Sequence, residues 1–404
     1  MRQPSVLYIT RNGMLEPLGQ SQVLAYLRGL SQHYNVSLIS FEKPEDAADA
    51  SAFERVQKVC SAHGIRWLPR RFHHRPKLIA PAWSMLVFLF LCLREVRRDN
   101  ADLIHARSYI PAAVALLVNK LTGTPFIFDM RALWPEELIT AGRLKRESWL
   151  HKAIVWVERA CLKNAAAVVS LTQAAVDYLH KQYPEELAGQ TLVVIPTCAD
   201  LDRFVPVDGE EPRSVVEIGP VYSCLGTVLS GWFRLAWLRI FFQEVGTRDS
   251  AARFEIVTRD DPVEVRKQLN LTGELNARLK VYSMPSGEVH KSVQRHTASI
   301  MFYAGGEVSE LGRSPTRMAE ILGCGLPVVA NPGVGDVAEI IQKYRVGVLV
   351  TEGTSDAMKS AFRQLEELLE DPELPSRCRR AAEEVFSLQA GSEAYRELYR
   401  NILK

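Results

Sequence analysis

The chain has 404 residues, of which 47% are hydrophobic and 24% are charged, as is typical of a soluble globular protein with two domains. Its net charge is only +2, but residues 1–200 carry 24 of the 49 Lys and Arg and 18 of the 47 Asp and Glu, a net +6 against −4 for the rest. The basic half is therefore expected to face something anionic. Seven scattered cysteines without a close pair argue against a zinc site and favour reduced thiols in a cytosol.

The chain begins with the pattern of strand, glycine loop and helix. VLYIT at 6–10 is too short an apolar run for a signal peptide and predicts a first strand. Gly13 and Gly19 lie in the loop that follows, before an amphipathic helix. These are the ingredients of a phosphate or sugar site in a doubly wound domain, which makes Gly19 a candidate donor-binding residue, although a plain surface turn has the same composition. G-x-G-x-x-G is absent, and with it a dinucleotide fingerprint.

A long uncharged segment follows the second predicted strand and a charged helix at about 44–63. The sixteen residues LIAPAWSMLVFLFLCL at 78–93 lie between two basic segments, RRFHHRPK and REVRR. The run is shorter than the roughly 20 apolar residues that span a bilayer. Two interpretations are open: a helix buried in the core, or a helix that dips partly into a membrane surface while the flanking cations meet anionic lipid.

Polar side chains stand at the ends of the next two strands. DLIHARS at 102–108 and PFIFDMR at 125–131 are separated by a helical segment, which predicts parallel strands. Ligands collect at the carboxyl ends of such strands, where His105, Arg107 and Arg131 lie. His105 is a candidate catalytic residue, although a lone histidine at a strand end is more commonly a structural hydrogen-bond partner.

A tryptophan and two carboxylates follow Arg131. The face of Trp134 can pack on the C–H groups of a sugar while acids such as Glu136 take its hydroxyls. A core ring and a helix N-terminus after Pro135 explain the same residues equally well. The candidates for the acceptor side are Arg107, Arg131, Trp134 and Glu136.

The middle of the chain predicts a change of domain. A long helix at about 150–163 and two further strands complete the first domain, and the loop-like residues 197–214 predict a hinge. We expect an N-terminal domain at 1–205, a second domain at 206–385 and a final helix at 386–404. The second domain again opens with strand, glycine loop and helix, so Gly226 is a candidate donor-binding residue. Aromatic residues at helical spacing from Trp232 to Phe242 indicate core packing or membrane contact.

Residues 309–340 predict a helix, a turn, a strand, a glycine loop and a second helix. Ser314 suits the N-cap and Pro315 the first position of the first helix. The free N–H groups of its first turn, with the side chains of Arg313, Thr316 and Arg317, form a site for phosphate.

A carboxylate and a glycine loop extend this phosphate site. Glu320 lies one turn beyond Arg317, where its carboxylate can accept hydrogen bonds from two hydroxyls of a ribose. The phosphate site and Glu320 together therefore predict binding of a nucleotide diphosphate. An exposed Arg317–Glu320 ion pair on an ordinary helix is the alternative. The glycines of NPGVGDV, including Gly335, let backbone approach a ligand before Asp336 caps the next helix.

These motifs resemble those of the GT-B glycosyltransferases of family 4 (group 1). Residues 314–337 match a subgroup pattern of S-P-T-K, E, G-x-P-V and G-V-G-D-V nearly throughout. PLGQSQVL, IHARSYIP and FDMRALWPEE resemble its N-terminal blocks. Gly312 stands where many members carry a second glutamate, and the arginine and lysine pair that grips the diphosphate in many members is missing.

The resemblance implies an α/β protein of GT-B fold, with two Rossmann-like doubly wound domains facing across a cleft and the final helix returning to the first domain. It implies retaining, metal-independent transfer of a hexosyl group from a nucleotide-diphosphate sugar to a glycan or lipid-linked acceptor, in bacterial surface polysaccharide assembly. Arg317 and Arg313 would neutralise the phosphates, Glu320 would orient the ribose and His105 would hydrogen-bond the sugar. The other candidate donor-binding residues are Gly19, Gly226, Ser314, Thr316, Gly335 and Asp336.

The expected place is the cytoplasm, at a membrane surface if residues 78–93 touch lipid, with no cofactor, metal or nucleic acid. Two rival functions are kept. A sugar-nucleotide epimerase shares the fold, and product analysis with and without an acceptor separates it. A catalytically inert nucleotide-sugar-binding or lipid-binding subunit is the other, suggested by Gly312 and the altered glycine loop.

Overall fold

The structure is a computed structural model that describes residues 2–71, 79–207, 219–285 and 287–404. It divides into two compact units, Met1–Pro196 with Leu388–Lys404, and Thr197–Ser387. The hinge predicted at 197–214 belongs to the second unit as far as residue 207, and its acidic part lies outside the described residues. The domain limits at 205 and 385 stay predictions.

The first unit is built on a seven-stranded parallel sheet. Its strand order is β3-β2-β1-β4-β5-β6-β7. The strands are β1 Ser5–Thr10, β2 Asn35–Glu42, β3 Arg66–Arg71, β4 Leu103–Arg107, β5 Phe126–Asp129, β6 Ala167–Ser170 and β7 Leu192–Val194. The helices are α1 Pro17–Gly19, α2 Ala25–Leu30, α3 Ala50–Ala62, α4 Ile79–Asp99, α5 Tyr109–Thr122, α6 Trp134–Thr140, α7 Trp149–Asn164 and α8 Gln173–Gln182, with a π-helical turn at Gln20–Leu24 between α1 and α2.

The strand order explains where a ligand can bind in this unit. From β1 the chain proceeds to one edge of the sheet, and β4 then begins on the other side of β1. This reversal opens a crevice at the carboxyl ends of β1 and β4, the usual place for a ligand in doubly wound folds. Parallel strands joined by helices, as the sequence predicts, require both faces of the sheet to be covered, and β1 is accordingly buried throughout.

Two predicted helices differ from expectation. The charged helix predicted at 44–63 is divided, because Asp49 accepts hydrogen bonds from the N–H groups of Ser51 and Ala52 and so starts α3 after a separate 3₁₀ turn. Residues 79–93 of the apolar segment form the first part of α4, with Phe88 buried and Phe90 exposed. One side of this helix therefore lies in the core and the other in solvent. Most of the preceding RRFHHRPK lies outside the described residues.

The second unit has a six-stranded parallel sheet of order β10-β9-β8-β11-β12-β13, again reversing at its first strand. The strands are β8 Val221–Leu225, β9 Arg253–Val257, β10 Leu279–Tyr282, β11 Ala298–Met301, β12 Val328–Ala330 and β13 Gly347–Leu349. The helices are α9 Leu235–Arg248, α10 Pro262–Leu269, α11 Gly273–Ala277, α12 Val289–Val293, α13 Thr316–Gly323, α14 Val337–Tyr344, α15 Ser355–Leu369 and α16 Leu374–Phe386, with a 3₁₀ turn at Val308–Gly312. Phe241 and Phe242 are fully buried, whereas Trp232 and Trp237 are only half-buried.

The final helix, α17 Leu388–Ile402, belongs to the first unit. It packs against α2, where the lack of a side chain on Gly29 lets Ser392 approach closely. Tyr395 and Tyr399 of this helix are buried beneath the carboxyl ends of the strands. The last residues of the chain therefore complete the core around the first sheet.

Candidate functional site

The helix start predicted to bind phosphate lies at the carboxyl ends of β8 and β11, where the order of the second sheet reverses. Helix α13 begins at Thr316, so Pro315 occupies the N-cap position. The predicted N-cap Ser314 is therefore wrong. Its hydroxyl instead accepts a hydrogen bond from the backbone N–H of Thr197 and lies 3.0 Å from the Thr197 hydroxyl, which ties the helix start to the beginning of this unit.

Arg317 and Glu320 form an ion pair along α13. The Glu320 side chain is 13% exposed and that of Arg317 is 37% exposed. Burial raises the pKa of Glu320, and the charge of Arg317 opposes that rise. The two side chains form an ion pair, as the alternative interpretation expected, but the pair is half-buried and not fully exposed.

Gly226 lies directly beside this pair. It follows β8 with φ +101°, a conformation that glycine adopts readily and other residues rarely do. A Cβ atom placed there would lie 3.9 Å from Nε of Arg317. The structure therefore brings Gly226 together with the Arg317–Glu320 pair, which the sequence analysis reached from two separate motifs.

Arg313 is held by partners on two sides. Its Nε lies 2.9 Å from Oε2 of Glu310, and its guanidinium lies 4.8 Å from the centre of the Trp232 ring. Glu310 is fully buried, and its carbonyl accepts a hydrogen bond from the N–H of Gly335. Many family members carry a glutamate at the position of Gly312. In this chain Glu310, two positions earlier, anchors Arg313 and the glycine loop.

The loop after β12 contains the remaining predicted donor-binding residues. Gly335 has φ +44°, and α14 starts at Val337 with Asp336 in the N-cap position. Asp336 thus occupies the predicted cap position, although its side chain makes no capping hydrogen bond. Asn331 fixes the loop instead, since its Oδ1 accepts a hydrogen bond from Tyr303 and its Nδ2 donates to the carbonyl of Pro332.

Two carboxylates that shape glycine loops were missed by the sequence analysis. Asp260 accepts hydrogen bonds from the N–H groups of Val228 and Leu229, at 2.7 and 3.0 Å, and so fixes the loop after β8. Glu42 does the same after β1, accepting from Met14 and Leu15 at 3.0 and 3.1 Å. Each acid ends or follows a neighbouring strand, which is the only signal that the sequence carries.

Gly19 permits a close approach within the first glycine loop. A Cβ atom at Gly19 would lie 2.0 Å from the carbonyl oxygen of Gly13, which no side chain tolerates. The π-helical turn Gln20–Leu24 follows at once. Such turns are frequent at functional sites.

His105 is buried at the end of β4 with both ring nitrogens engaged. Nδ1 lies 2.6 Å from the Tyr399 hydroxyl and Nε2 lies 3.2 Å from Oδ2 of Asp129. Burial lowers the pKa of His105 against the opposing influence of Asp129, which favours the neutral ring. An ionised carboxylate can only accept, so Nε2 carries the proton and Nδ1 accepts from Tyr399. A hydrogen bond to a sugar would have to replace one of these partners.

Asp129 is the centre of a buried charge cluster. Burial opposes its ionisation, but Arg131, the hydrogen bond from His105 and Arg107 outweigh that and lower its pKa to about 2. Arg107 and Arg131 lie 3.6 and 3.7 Å from its carboxylate oxygens. Arg131 also has φ +61°, which is uncommon for an arginine and is held by the surrounding packing. The cluster therefore carries one more positive than negative charge.

Trp134 and Glu136 have separate surroundings. Helix α6 starts at Trp134, one residue before Pro135, and the Trp134 ring lies 5.5 Å from that of Tyr109. Both oxygens of Glu136 are paired with Arg146, at 3.1 and 2.5 Å. These contacts favour a packing role for Trp134 and a place at a helix N-terminus for Glu136 over a sugar platform. The acceptor-side role of both residues stays a prediction.

Within residues 2–71, 79–207, 219–285 and 287–404, no three or more His, Cys, Asp and Glu side chains are grouped to hold a metal ion. All seven cysteines are buried free thiols.

Two Rossmann-like units with parallel sheets define the GT-B class of glycosyltransferase folds, as predicted. A glycosyltransferase from Rickettsia africae ESF-5 superposes with a TM-score of 0.72 at 15% identity, over 100% of both chains. Sucrose-phosphate synthase from Thermosynechococcus elongatus gives 0.72 at 16% identity over 99% of both. HepE from Anabaena, in complex with UDP and glucose, gives 0.67 at 14% identity over 98% of this chain and 99% of that one. At such identities the likeness concerns the fold.

Sequence comparison identifies the family. Residues 19–198 match the glycosyl transferase 4-like domain, and residues 273–385 match glycosyl transferases group 1. No curated protein sequence matches the chain. The two domains occupy most of the chain, which therefore belongs to the group 1 glycosyltransferases, and the resemblance seen in its motifs is confirmed.

Proposed function

We propose that this glycosyltransferase moves a hexosyl group from a nucleotide-diphosphate sugar to a glycan or lipid-linked acceptor, with retention of configuration and without a metal ion. The observation that carries the proposal is the Arg317–Glu320 pair beside Gly226. A guanidinium and a carboxylate one helical turn apart suit a phosphate and a ribose respectively.

The departing diphosphate needs positive charge close to it. Arg317 is more exposed than its partner, so its guanidinium can turn from Glu320 to a phosphate without leaving the helix start. The first turn of α13 adds backbone N–H groups and the positive end of the helix dipole. Arg313 is fixed by Glu310 and Trp232, so it contributes a preorganised charge. Preorganised charge of this kind stabilises a leaving group at little reorganisation cost.

Loop geometry supports the same donor. Gly226 and Gly335 keep side chains away from the helix start, and Asp260 fixes the N–H groups of the loop after β8. HepE, a protein of this fold, was crystallised with UDP-glucose. We therefore infer a nucleoside diphosphate sugar, with the phosphates at Arg317 and the ribose at Glu320.

The first unit is proposed to take the acceptor. The cluster of Arg107, Asp129 and Arg131 has a surplus positive charge at the end of its sheet. That surplus favours an acceptor with an anionic group nearby, as in a lipid-linked phosphate. Such an acceptor lies in a membrane, so we place the enzyme on the cytoplasmic face of one, in surface polysaccharide assembly.

Nucleotide binding is the first test. UDP, GDP, ADP and their sugars would be screened for thermal stabilisation of the purified protein, since a ligand at a hundred times its Kd adds about 2.7 kcal/mol. One diphosphate should stabilise the wild type strongly and the Arg317→Ala variant weakly. If none stabilises the wild type, the donor assignment is wrong.

The reaction type needs a separate experiment. With the stabilising donor and an acceptor, NMR of the product should show the same anomeric configuration as in the donor. An inverted anomeric centre would exclude retention. A donor epimerised in the absence of acceptor would instead identify the epimerase of the same fold.

A further inference from the structure

Three helices of the first unit form one surface. Helix α4 packs against α5, and α5 packs against α7. They connect β3 to β4, β4 to β5 and β5 to β6, all in the same direction across the sheet. Right-handed connections of this kind place their helices on the same face. We call the outer sides of α4, α5 and α7 the outer face.

The outer face is unusually apolar. Twelve large hydrophobic side chains are exposed among the described residues, and eight of them lie on these three helices. They are Leu86, Val87, Phe90, Leu117, Leu121, Trp149, Leu150 and Trp156. Scattered single apolar side chains are normal on a protein surface, but a concentration of this kind marks an interaction site.

All the charged side chains that are exposed on these three helices are basic. The exposed cations are Arg94, Arg97, Arg98, Lys120, Lys152, Arg159 and Lys163. Among the described side chains of the three helices, none of the acidic ones is exposed. Glu95 and Glu158 are buried, and Asp99 is partly buried in an ion pair with Arg66. A face composed of apolar and cationic side chains complements a surface that is apolar inside and anionic outside.

Two tryptophans have the exposure expected of interfacial anchors. Trp149 and Trp156 are 80% and 71% exposed and lie seven residues apart, on the same side of α7. An indole ring combines a large apolar surface with an N–H donor, which suits the level of lipid headgroups. In water, two such rings are costly to leave exposed.

A groove with cations lies beside the second tryptophan. It has a volume of about 600 Å³, and its lining includes Trp156, Lys152, Arg159 and Lys163. Two of these cations have acidic neighbours from flanking loops: Lys152 lies 3.5 Å from Glu147 and Arg159 lies 2.5 Å from Glu186. The groove keeps a surplus of positive charge, as a headgroup phosphate requires.

We propose that the outer face docks on a bilayer surface containing anionic lipid, with Trp149, Trp156, Leu86 and Phe90 inserted and the cations at the headgroups. No described helix is long and apolar enough to cross a membrane, so the contact lies on the bilayer. The inference rests on the peripheral-membrane part of the proposed function. It uses no residue assigned to sugar transfer.

Vesicle sedimentation tests the proposal on the full chain. At low salt the wild type should pellet with phosphatidylcholine vesicles containing phosphatidylglycerol and should bind pure phosphatidylcholine weakly. Raising the salt from about 0.1 to 1 M shortens the Debye length from about 10 to 3 Å and should release most of the protein. Arg97→Gln with Arg98→Gln should lower affinity roughly fivefold per cation. Trp149→Ser with Trp156→Ser should lower it roughly tenfold per ring.

Matched variants separate this surface from general charge and hydrophobicity. Arg55→Gln with Lys58→Gln removes two exposed cations from α3, and Val263→Ser removes an exposed apolar side chain from the second unit. Both should bind vesicles like the wild type. Circular dichroism should be unchanged throughout, because all substituted side chains are exposed.

Three results would overturn the proposal. The first is a wild type that stays in solution with anionic vesicles at low salt, and the second is tryptophan variants that bind vesicles as well as the wild type does. The third is a wild-type dimer that does not bind vesicles and that the tryptophan variants dissociate. Thermal stabilisation by the nucleotide donor is measured in parallel. Its loss would refute the donor assignment without touching the membrane result, so the two failures are distinguishable.

Discussion

Tyr399 donates a hydrogen bond to Nδ1 of His105 across 2.6 Å, which joins the last helix of the chain to the end of β4. The adjacent Tyr395 donates to Asp129 at 3.1 Å. Helix α17 thus supplies hydrogen-bond donors to His105 and Asp129 in a buried charge cluster that still contains polar atoms without a hydrogen-bond partner, among them Nε of Arg107 and Oδ1 of Asp129. Such atoms are costly in a protein interior.

Removal of the Tyr399 hydroxyl should destabilise the first unit. In Tyr399→Phe, Nδ1 of His105 loses its donor in a site without solvent, which costs about 1–3 kcal/mol. Urea unfolding followed by tryptophan fluorescence measures the loss. Tyr34→Phe is the matched control, since its hydroxyl donates to the carbonyl of Arg396 on the same helix but outside the cluster. Equal losses in both variants would show that the His105 contact has no special weight.

The Asp129 cluster predicts how stability depends on pH. The folded protein holds the pKa of Asp129 at about 2, below its ordinary value of 3.8, so the unfolded chain binds its proton first. The stabilisation is therefore complete above pH 3.8 and is lost as the pH falls towards 2, a contribution of about 2 kcal/mol. Unfolding free energies measured from pH 5 to 2.5 should fall, and they should fall less steeply for Asp129→Asn.

A second carboxylate contributes in the same direction. Burial opposes the ionisation of Glu255, but its hydrogen bonds with His296 and Tyr282 outweigh this and lower its pKa from 4.5 to about 2. Asp129→Asn should leave this second contribution intact, so a residual slope is expected in that variant. An Asp129→Asn protein with the wild-type slope would mean that Asp129 is not ionised as described.

Much of the fold could be predicted because it depends on local patterns. The apolar run at 6–10 is β1, and the predicted helix at 150–163 is α7 to within one residue at each end. Strands alternating with helices require parallel sheets, and the turn glycines mark where strands end. Local sequence therefore determines the elements and most of their order.

The sequence could not show which distant side chains meet. Tyr399 lies 294 positions from His105, and Asp260 lies 32 positions from Val228. A histidine at a strand end has the same sequence signature whether it faces a ligand or a buried tyrosine. For Ser314, a cap motif was present locally, but a contact with Thr197 competed for its hydroxyl. The candidate residues could thus be found, while their partners required the fold.

Gly226 should be needed for donor binding and not only for its backbone angle. Gly226→Ala places a methyl group beside Arg317 and strains a residue with φ +101°. The strain costs about 1–2 kcal/mol, and the methyl group would occupy space in van der Waals contact with Arg317, where the donor phosphates are proposed to lie, so KM for the donor should rise. Gly123→Ala is the control, because Gly123 has φ +75° with open space around it. It should lose similar stability at unchanged KM, and a shared KM effect would count against the Gly226 site.

The final prediction separates the roles of Arg317 and Glu320, which contact each other and are proposed to hold different parts of the donor. Arg317→Ala removes charge that acts on the leaving diphosphate, so kcat should fall on the order of 10²-fold. Glu320→Gln keeps a hydrogen-bonding side chain but weakens ribose binding in ground and transition states alike, so KM should rise with kcat nearly unchanged. Initial rates over a range of donor concentrations measure both constants. Arg363→Ala, which removes an exposed guanidinium from α15, should leave both constants at wild-type values. If Arg317→Ala changed only KM, Arg317 would bind the donor without stabilising the departing diphosphate, and the mechanism proposed for α13 would have to be abandoned.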